Sequence, residues 1–257
     1  MCGRYAAAKD PAALVEEFEV VAPPEELLEP DYNVAPTKRV YVVLDREREA
    51  VTERTLVVAR WGLIPSWAKD PSTGSRMINA RAETVAEKPA FRRAFAKRRC
   101  LVPADGYYEW YSPAVHDATD SLASKKGKTG KPVKQPFFIH PSDGSSLAMA
   151  GLYEWWRDPS RADDPLAWRL TCTILTTDAA DEVGRIHDRM PMMIARGDWA
   201  AWLDPGTGAG ASELLRPALG PTLEAYPVSV AVNSVRNNSP ELIVPIAADD
   251  EIPGSNP

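Results

Sequence analysis

Cysteine is scarce in this chain. Three occur in 257 residues, Cys2, Cys100 and Cys172, far apart and without a Cys-x-x-Cys pair. That pattern excludes the usual structural zinc site and a disulfide framework, and fits a reducing, cytoplasmic compartment. Histidine is equally rare, with three copies. No apolar run approaches the ~20 residues of a membrane span, so no membrane partner is expected. The N-terminus lacks the basic region and apolar stretch of a secretory signal. No internal repeat of regular period occurs. Excess positive charge is missing as well: the formal net charge is −6, which speaks against a general nucleic-acid coat.

The distribution of charge says more than its sum. Between Lys88 and Arg99 lie six basic residues (Lys88, Arg92, Arg93, Lys97, Arg98 and Arg99) and no acid. Acids gather at Glu16–Glu29 and Asp249–Glu251. A basic helix face of this kind either holds a phosphate backbone or is simply solvated.

With 44% apolar residues, a sizeable core is available, in one large domain or two small ones. Asp10-Pro11 pairs an N-cap with proline at the first helical position, followed by Leu14, Val15 and Phe18, and predicts a short helix. Strand-like runs follow at Val40–Leu44, Thr55–Trp61, Arg99–Val102, Tyr107–Tyr111, Phe137–His140, Leu147–Leu152, Trp168–Ile174 and Val228–Val232. In Trp168–Ile174 the even positions are expected on one face and Arg169, Thr171 and Thr173 on the other. Helices are predicted at Val85–Lys97, Asp178–Val183 and Asp198–Leu203. Strands outnumber helices and most lack helical crossovers. The expected class is α+β: one domain over 2–246 with a mostly antiparallel, barrel-like β core and flanking helices. Ser112–Gln135, with five lysines and no apolar period, reads as a flexible insertion within that domain, and 247–257 as a disordered tail.

Cys2 has unusual chemical scope. Its small side chain makes Met1 a target for removal, which leaves a thiol and an α-amine on adjacent carbons. Their reference pKa values, roughly 8.5 and roughly 7.7–8.0, give both a reactive fraction near neutrality. Such a 1,2-aminothiol condenses with aldehydes: the amine forms an imine and the thiol closes a thiazolidine ring. The plain alternative is a small residue opening a buried strand.

Further ionisable groups sit at turns and strand ends. Glu109 shares a strand face with Tyr107 and Tyr111, where desolvation raises a carboxyl pKa and suits it to proton transfer. Glu154, in Tyr153-Glu154-Trp155, has nearly the same local setting, and local pattern does not choose between them. His187 stands in a loop-like stretch ending in Pro191, and histidine is a common general acid/base. Asn79 and Arg81, two apart, point the same way in an extended segment and suit an anionic ligand. Trp61–Trp67 and Tyr32–Thr37 are turn-rich segments whose aromatics either stack unpaired bases or pack the core.

Six motifs occur in order: Met-Cys-Gly-Arg at the start, Tyr32-Asn33-Val34-Ala35-Pro36, Trp61-Gly62-Leu63-Ile64-Pro65, Ile78-Asn79-Ala80-Arg81-Ala82-Glu83-Thr84, Asp105-Gly106-Tyr107-Tyr108-Glu109-Trp110 and Ile186-His187-Asp188-Arg189-Met190-Pro191. Together they resemble the SRAP (SOS response-associated peptidase) family of abasic-site processing proteins. The resemblance implies a sensor of abasic sites in single-stranded DNA that crosslinks to the lesion through its N-terminal cysteine. It implies Cys2 as nucleophile, an active site completed by Asn79, Glu109 and His187, and Arg81 beside the DNA backbone. It favours Glu109 over Glu154 by motif. It places Arg4, Asn33, Pro36, Trp61 and Trp67 on a DNA-facing surface. A cytoplasmic monomer, nucleoid-associated when bound to DNA, is expected; the chemistry calls for no cofactor or metal. The family name adds peptidase-like self-processing. Two rivals remain: an N-terminal-nucleophile amidohydrolase of the glutamine amidotransferase type, which also begins Met-Cys-Gly, and a non-catalytic single-stranded DNA-binding module.

Overall fold

Alternating apolar runs build twelve strands and three short α-helices among the described residues, 2–48, 51–111, 134–161, 163–179, 186–206, 208–216 and 222–246 of a computed structural model. One sheet has five strands: β1 (Tyr5–Ala7), β2 (Asp31–Val34), β7 (Gly106–Tyr111), β8 (Gln135–Pro141) and β12 (Leu223–Pro227), in the order β12-β8-β7-β1-β2. The other runs β11-β10-β4-β3-β6-β9 through β3 (Arg39–Arg48), β4 (Val51–Trp61), β6 (Arg99–Ala104), β9 (Leu147–Arg157), β10 (Trp168–Asp178) and β11 (Arg189–Pro191), with β5 (Asn79–Arg81) attached to β10. Strand β10 also pairs with β9, so the path through β4, β3, β6 and β9 closes on itself as a barrel. Pairing is antiparallel except where β10 meets β4 and β5. The domain is therefore single and mostly β, as expected.

Residue alternation distributes the barrel strands between two cores. Val40, Val42, Leu44, Cys100, Val102, Leu147, Met149, Cys172 and Ile174 share one with Cys2, Tyr5, Val34, Tyr107 and Ile139 near the five-stranded sheet. Tyr41, Val43, Leu101, Ala148, Ala150 and Leu175 share the other with Leu14, Phe18, Phe95, Trp199 and Trp202 of the helices. Both faces of β10 are thus covered: Thr171 and Thr173, opposite Cys172 and Ile174, are fully buried too. Hence the polar half of that alternation is not a solvent face. The outer face of the five-stranded sheet seats Val228, Val232 and Leu242 on Ala6, Tyr108 and Phe138.

Helix α1 (Pro11–Glu17) begins where predicted, with Asp10 accepting from the Ala12 N–H at 2.7 Å. Helix α3 (Trp199–Leu203) also follows its expected position. The long basic helix does not form as predicted. Only α2 (Arg92–Lys97) is helical, because Pro89 has no N–H to donate and disfavours a helical Lys88 before it. Nor does Arg99 belong to a basic face. It is buried, donating to Phe95 and Ala96 carbonyls at the end of α2 and to Trp202 and Asp204 carbonyls at the end of α3. A guanidinium there satisfies the carbonyls that every helix end leaves open.

The run Val228–Val232 is not a strand. Strand β12 ends at Pro227, and Val230–Asn233 forms a 3-10 turn capped by Ser229. Its valines are apolar because they cover the sheet, not because they join it. Strands β1, β2, β5 and β11 have three or four residues each, too short for periodicity to reveal. Asp178 closes β10, and the remainder of the helix expected at 178–183 lies largely outside the described residues, as do 112–133 of the insertion and the 247–257 tail. Gln135, assigned to the insertion, instead opens β8 opposite Tyr111.

Gly62 is fixed by geometry. Gly62 has φ of 125°, and a Cβ there would lie 2.6 Å from the Gly74 carbonyl oxygen. Gly144, with φ of 73°, has nothing within 4 Å of that position. Gly62→Ala is expected to destabilise the protein by about 2 kcal/mol or more, against about 1 kcal/mol for Gly144→Ala, since the first meets backbone and the second only strain. Equilibrium urea unfolding measures both; equal costs would refute the steric account.

Candidate active site

The N-terminal segment is held as part of the five-stranded sheet. Tyr5 pairs with Tyr107 and Ala6 with Gly106, and the Tyr108 N–H donates to the Arg4 carbonyl at 2.9 Å. Continued one step, this register sets Gly3 opposite Glu109 and brings Cys2 beside it. Cys2 is fully buried. Its carbonyl accepts a hydrogen bond from Asn79 Nδ2 at 2.7 Å. Asn79 opens β5, which runs parallel to β10 with Asn79 opposite Ile174. Trp61 Nε1 donates to the Ile78 carbonyl at 2.9 Å, and its ring meets Tyr5 edge-on at 5.1 Å between centroids. Three motifs distant in sequence thus converge on Cys2.

The electrostatics follow from burial. Desolvation pushes the Cys2 thiol far above its ordinary value, and the nearby Glu109 carboxylate adds to the rise. The thiol is therefore protonated at neutral pH. Burial raises Glu109 to about 7, where it is part acid and part base. Burial also lowers His187 below its usual value. His187 Nδ1 lies 3.0 Å from the Arg189 N–H and 2.8 Å from a carboxylate oxygen of exposed Asp188. The lowered pKa favours the neutral ring.

The segment carrying His187 faces the same place. Ile186 packs on the cluster that contains Cys2, and the charge of Asp188 raises Glu109. Arg189 anchors it: its guanidinium donates to both Glu83 oxygens at 2.7 and 3.0 Å, to Asp178 at 2.6 Å and to the Thr176 carbonyl at 2.6 Å. This clamp ties the 186–191 stretch to the turn after β5. Sequence reading passed over Glu83 and Arg189 as a pair, though their opposite charges were visible in two of the motifs.

Glu154 is separated from the site. It is buried but ion-paired to Arg98 at 2.8 Å, next to α2. His140 stacks on Phe138 with its Nδ1 2.9 Å from the Pro141 carbonyl, and His116 lies outside the described residues. Among the described residues, no group of three or more His, Cys, Asp and Glu is placed to hold a metal. Nor is any helix among them long and apolar enough to cross a membrane.

The residues expected on a DNA-facing surface divide. Arg81 and Trp67 are exposed, and Pro36 is half-buried. Asn33 and Trp61 are wholly buried. Asn33 Nδ2 donates to the carbonyls of Ser234 and Asn237 at 3.0 and 2.9 Å, and its Oδ1 accepts from Arg4 at 2.7 Å. Arg4 also donates to the Val232 carbonyl at 2.9 Å and lies over the Trp110 ring. Arg4 and Asn33 therefore latch the 230–237 segment onto the sheet. A buried amide is retained there because backbone carbonyls without partners are costly.

Residues 1–235 match the family model described as SOS response associated peptidase (SRAP). The chain belongs to the SRAP family. It is 38% identical over 246 residues to abasic site processing protein YoqW of Bacillus subtilis, covering 95% of this chain and 99% of that one. It is 36% identical over 247 residues to abasic site processing protein HMCES of Gallus gallus, covering 84% of this chain and 66% of the relative. A solved structure from Bacteroides thetaiotaomicron superposes with a TM-score of 0.76 at 25% identity, covering 96% of this chain and all (100%) of that one. The SRAP fold here is thus one domain, with Cys2 carried into its core by β1.

Proposed function

We infer that this protein processes abasic sites in single-stranded DNA by forming a covalent thiazolidine link through Cys2 once Met1 is removed. The observation that carries the reading is the buried Cys2 held between Asn79 and Glu109. Relatives named as abasic site processing proteins, matched over most of the chain, support the substrate.

The ring-opened abasic deoxyribose presents an aldehyde at C1′. The Cys2 amine attacks it, and the resulting carbinolamine loses water to give an imine. Glu109 and neutral His187 are the groups suited to move these protons. An imine left alone acidifies the neighbouring carbon and permits β-elimination of the 3′ phosphate. Thiol addition removes the C=N bond and so guards the strand from that break. Asn79 fixes the Cys2 backbone, and exposed Arg81 on the same strand face offers a charge-assisted contact to phosphate. Positioning of this sort supplies a large part of such rate gains. The working unit is the 2–246 domain, acting as a monomer in a reducing, cytoplasmic compartment; peptidase-like self-processing would remove Met1 and free the Cys2 amine.

Incubation with abasic and intact single strands, followed by denaturing electrophoresis and mass analysis of the joined peptide, tests the reading. A covalent product on abasic DNA only, with the mass of a thiazolidine at Cys2, is expected. Binding to both strands without a covalent product would leave a plain single-strand binder, and glutamine-dependent ammonia release would point to an amidotransferase.

A further inference from the structure

The cross-strand pair Tyr5–Tyr107 has more polar capacity than it uses. Both side chains are fully buried, in the cluster that contains Cys2. Both hydroxyls lack a hydrogen-bond partner among the described residues. A buried hydroxyl without a partner is costly, and phenylalanine would fill the same space without that cost. The two hydroxyls differ in surroundings. Tyr107 shares its strand face with Glu109 two residues on, and the ionisable groups acting on its hydroxyl are Cys2 and then Glu109. The Tyr5 hydroxyl is influenced first by Cys172 and only then by Cys2, and Glu109 is not among its neighbours.

We propose that the Tyr107 hydroxyl is the hydrogen-bond donor to the Cys2 sulfur during thiazolidine closure, kept without a partner in the free protein so that it is available when charge develops there. This rests on the thiazolidine reading above. In the closing step the Cys2 S–H bond breaks and its proton passes to the Glu109 carboxylate. The sulfur electron pair forms the bond to C1′ of the protonated imine. The C=N π pair becomes the lone pair of the ring nitrogen. Negative charge gathers on a buried sulfur, where a neutral donor acts most strongly. Glu109 accepts the proton; Tyr107 holds the sulfur. Imine formation, which engages the amine, does not use this bond.

The test follows both stages on abasic single strands: imine trapped by borohydride, and heat-stable thiazolidine, each against time. Tyr107→Phe is expected to form imine at the wild-type rate and to close the ring about tenfold to hundredfold more slowly, as loss of one hydrogen bond to a charged atom predicts. Its melting temperature is expected to equal or exceed the wild-type value, because an unpartnered hydroxyl is gone. Tyr5→Phe is expected to close within about twofold of wild type, because Cys172 rather than Cys2 acts first on its hydroxyl and Glu109 does not reach it. Should Tyr107→Phe fold poorly, a fluorinated tyrosine at 107, with a more acidic phenol and nearly the same shape, is expected to speed closure. Closure by Tyr107→Phe at the wild-type rate overturns the proposal. So does an equal slowing in both phenylalanine variants, or no response to fluorination. If the wild-type protein itself yields no thiazolidine, the chemistry inferred for Cys2 fails, which is a different result from any of these.

Discussion

Cys2→Ala keeps a borohydride-trappable imine on abasic DNA and loses the heat-stable crosslink to background. Alanine is small enough for Met1 to be removed as before, so the α-amine remains. What disappears is the sulfur that closes the ring. Two consequences separate this outcome from a general loss of folding. The trapped imine persists, and β-elimination of the 3′ phosphate increases, because nothing removes the C=N bond. Leaving one extra residue before Cys2 is expected to do the reverse: the thiol is present, the amine is blocked, and neither imine nor crosslink appears. A heat-stable product from Cys2→Ala would refute the thiazolidine, and full activity with a blocked N-terminus would show that the amine is idle. Burial makes the result sharper. The thiol is held protonated at neutral pH, so it does not compete with the amine for the aldehyde in the first step.

Glu109→Gln is the second large effect, with a slowing of crosslink formation of about a hundredfold or more, in the range typical of a lost general acid/base. The sign of the pH dependence is set by the role. As proton acceptor from the Cys2 thiol, Glu109 must be ionised, so wild-type closure falls as pH drops through about 7. Glutamine removes that limb of the profile together with the rate. Stability moves the opposite way. Burial raises the folded-state pKa from 4.5 to about 7, so the folded protein holds the proton more tightly than the unfolded chain. The contribution of Glu109 to stability is thus fully present below about pH 4.5 and is lost as pH rises through about 7. That difference corresponds to about 3 kcal/mol. Glu109→Gln is therefore expected to gain stability on wild type by that order between acid and pH 8, read from denaturant midpoints at each pH. A variant that is slower yet relatively more stable at alkaline pH is the signature of a carboxyl buried for function. A flat stability difference across pH would show that Glu109 is not strained by burial.

Local sequence was enough for much of the frame. Strand-like apolar runs marked every strand of six or more residues, and Asp10-Pro11 marked the start of α1, because backbone geometry and capping depend on near neighbours. The ordered motifs were enough for the family. Other features were not legible for identifiable reasons. The pattern Tyr-Glu-Trp occurs twice, and strand alternation does not tell Glu109 from Glu154. The family motif favours Glu109, and the fold sets it beside Cys2 and gives Glu154 to Arg98. The family resemblance set Asn33 and Trp61 on a DNA-facing surface and Arg99 stood in a basic run, yet each is buried and donates to backbone carbonyls far along the chain: Ser234 and Asn237, Ile78, Trp202. Asn79 meets Cys2 across 77 residues of sequence. Sequence by itself thus determined which face of each element is apolar and which residues carry reactive groups. Tertiary structure decided which of those groups lose their water and which partner each one meets, since desolvation and long-range contact are properties of the packed chain and leave no trace in local periodicity.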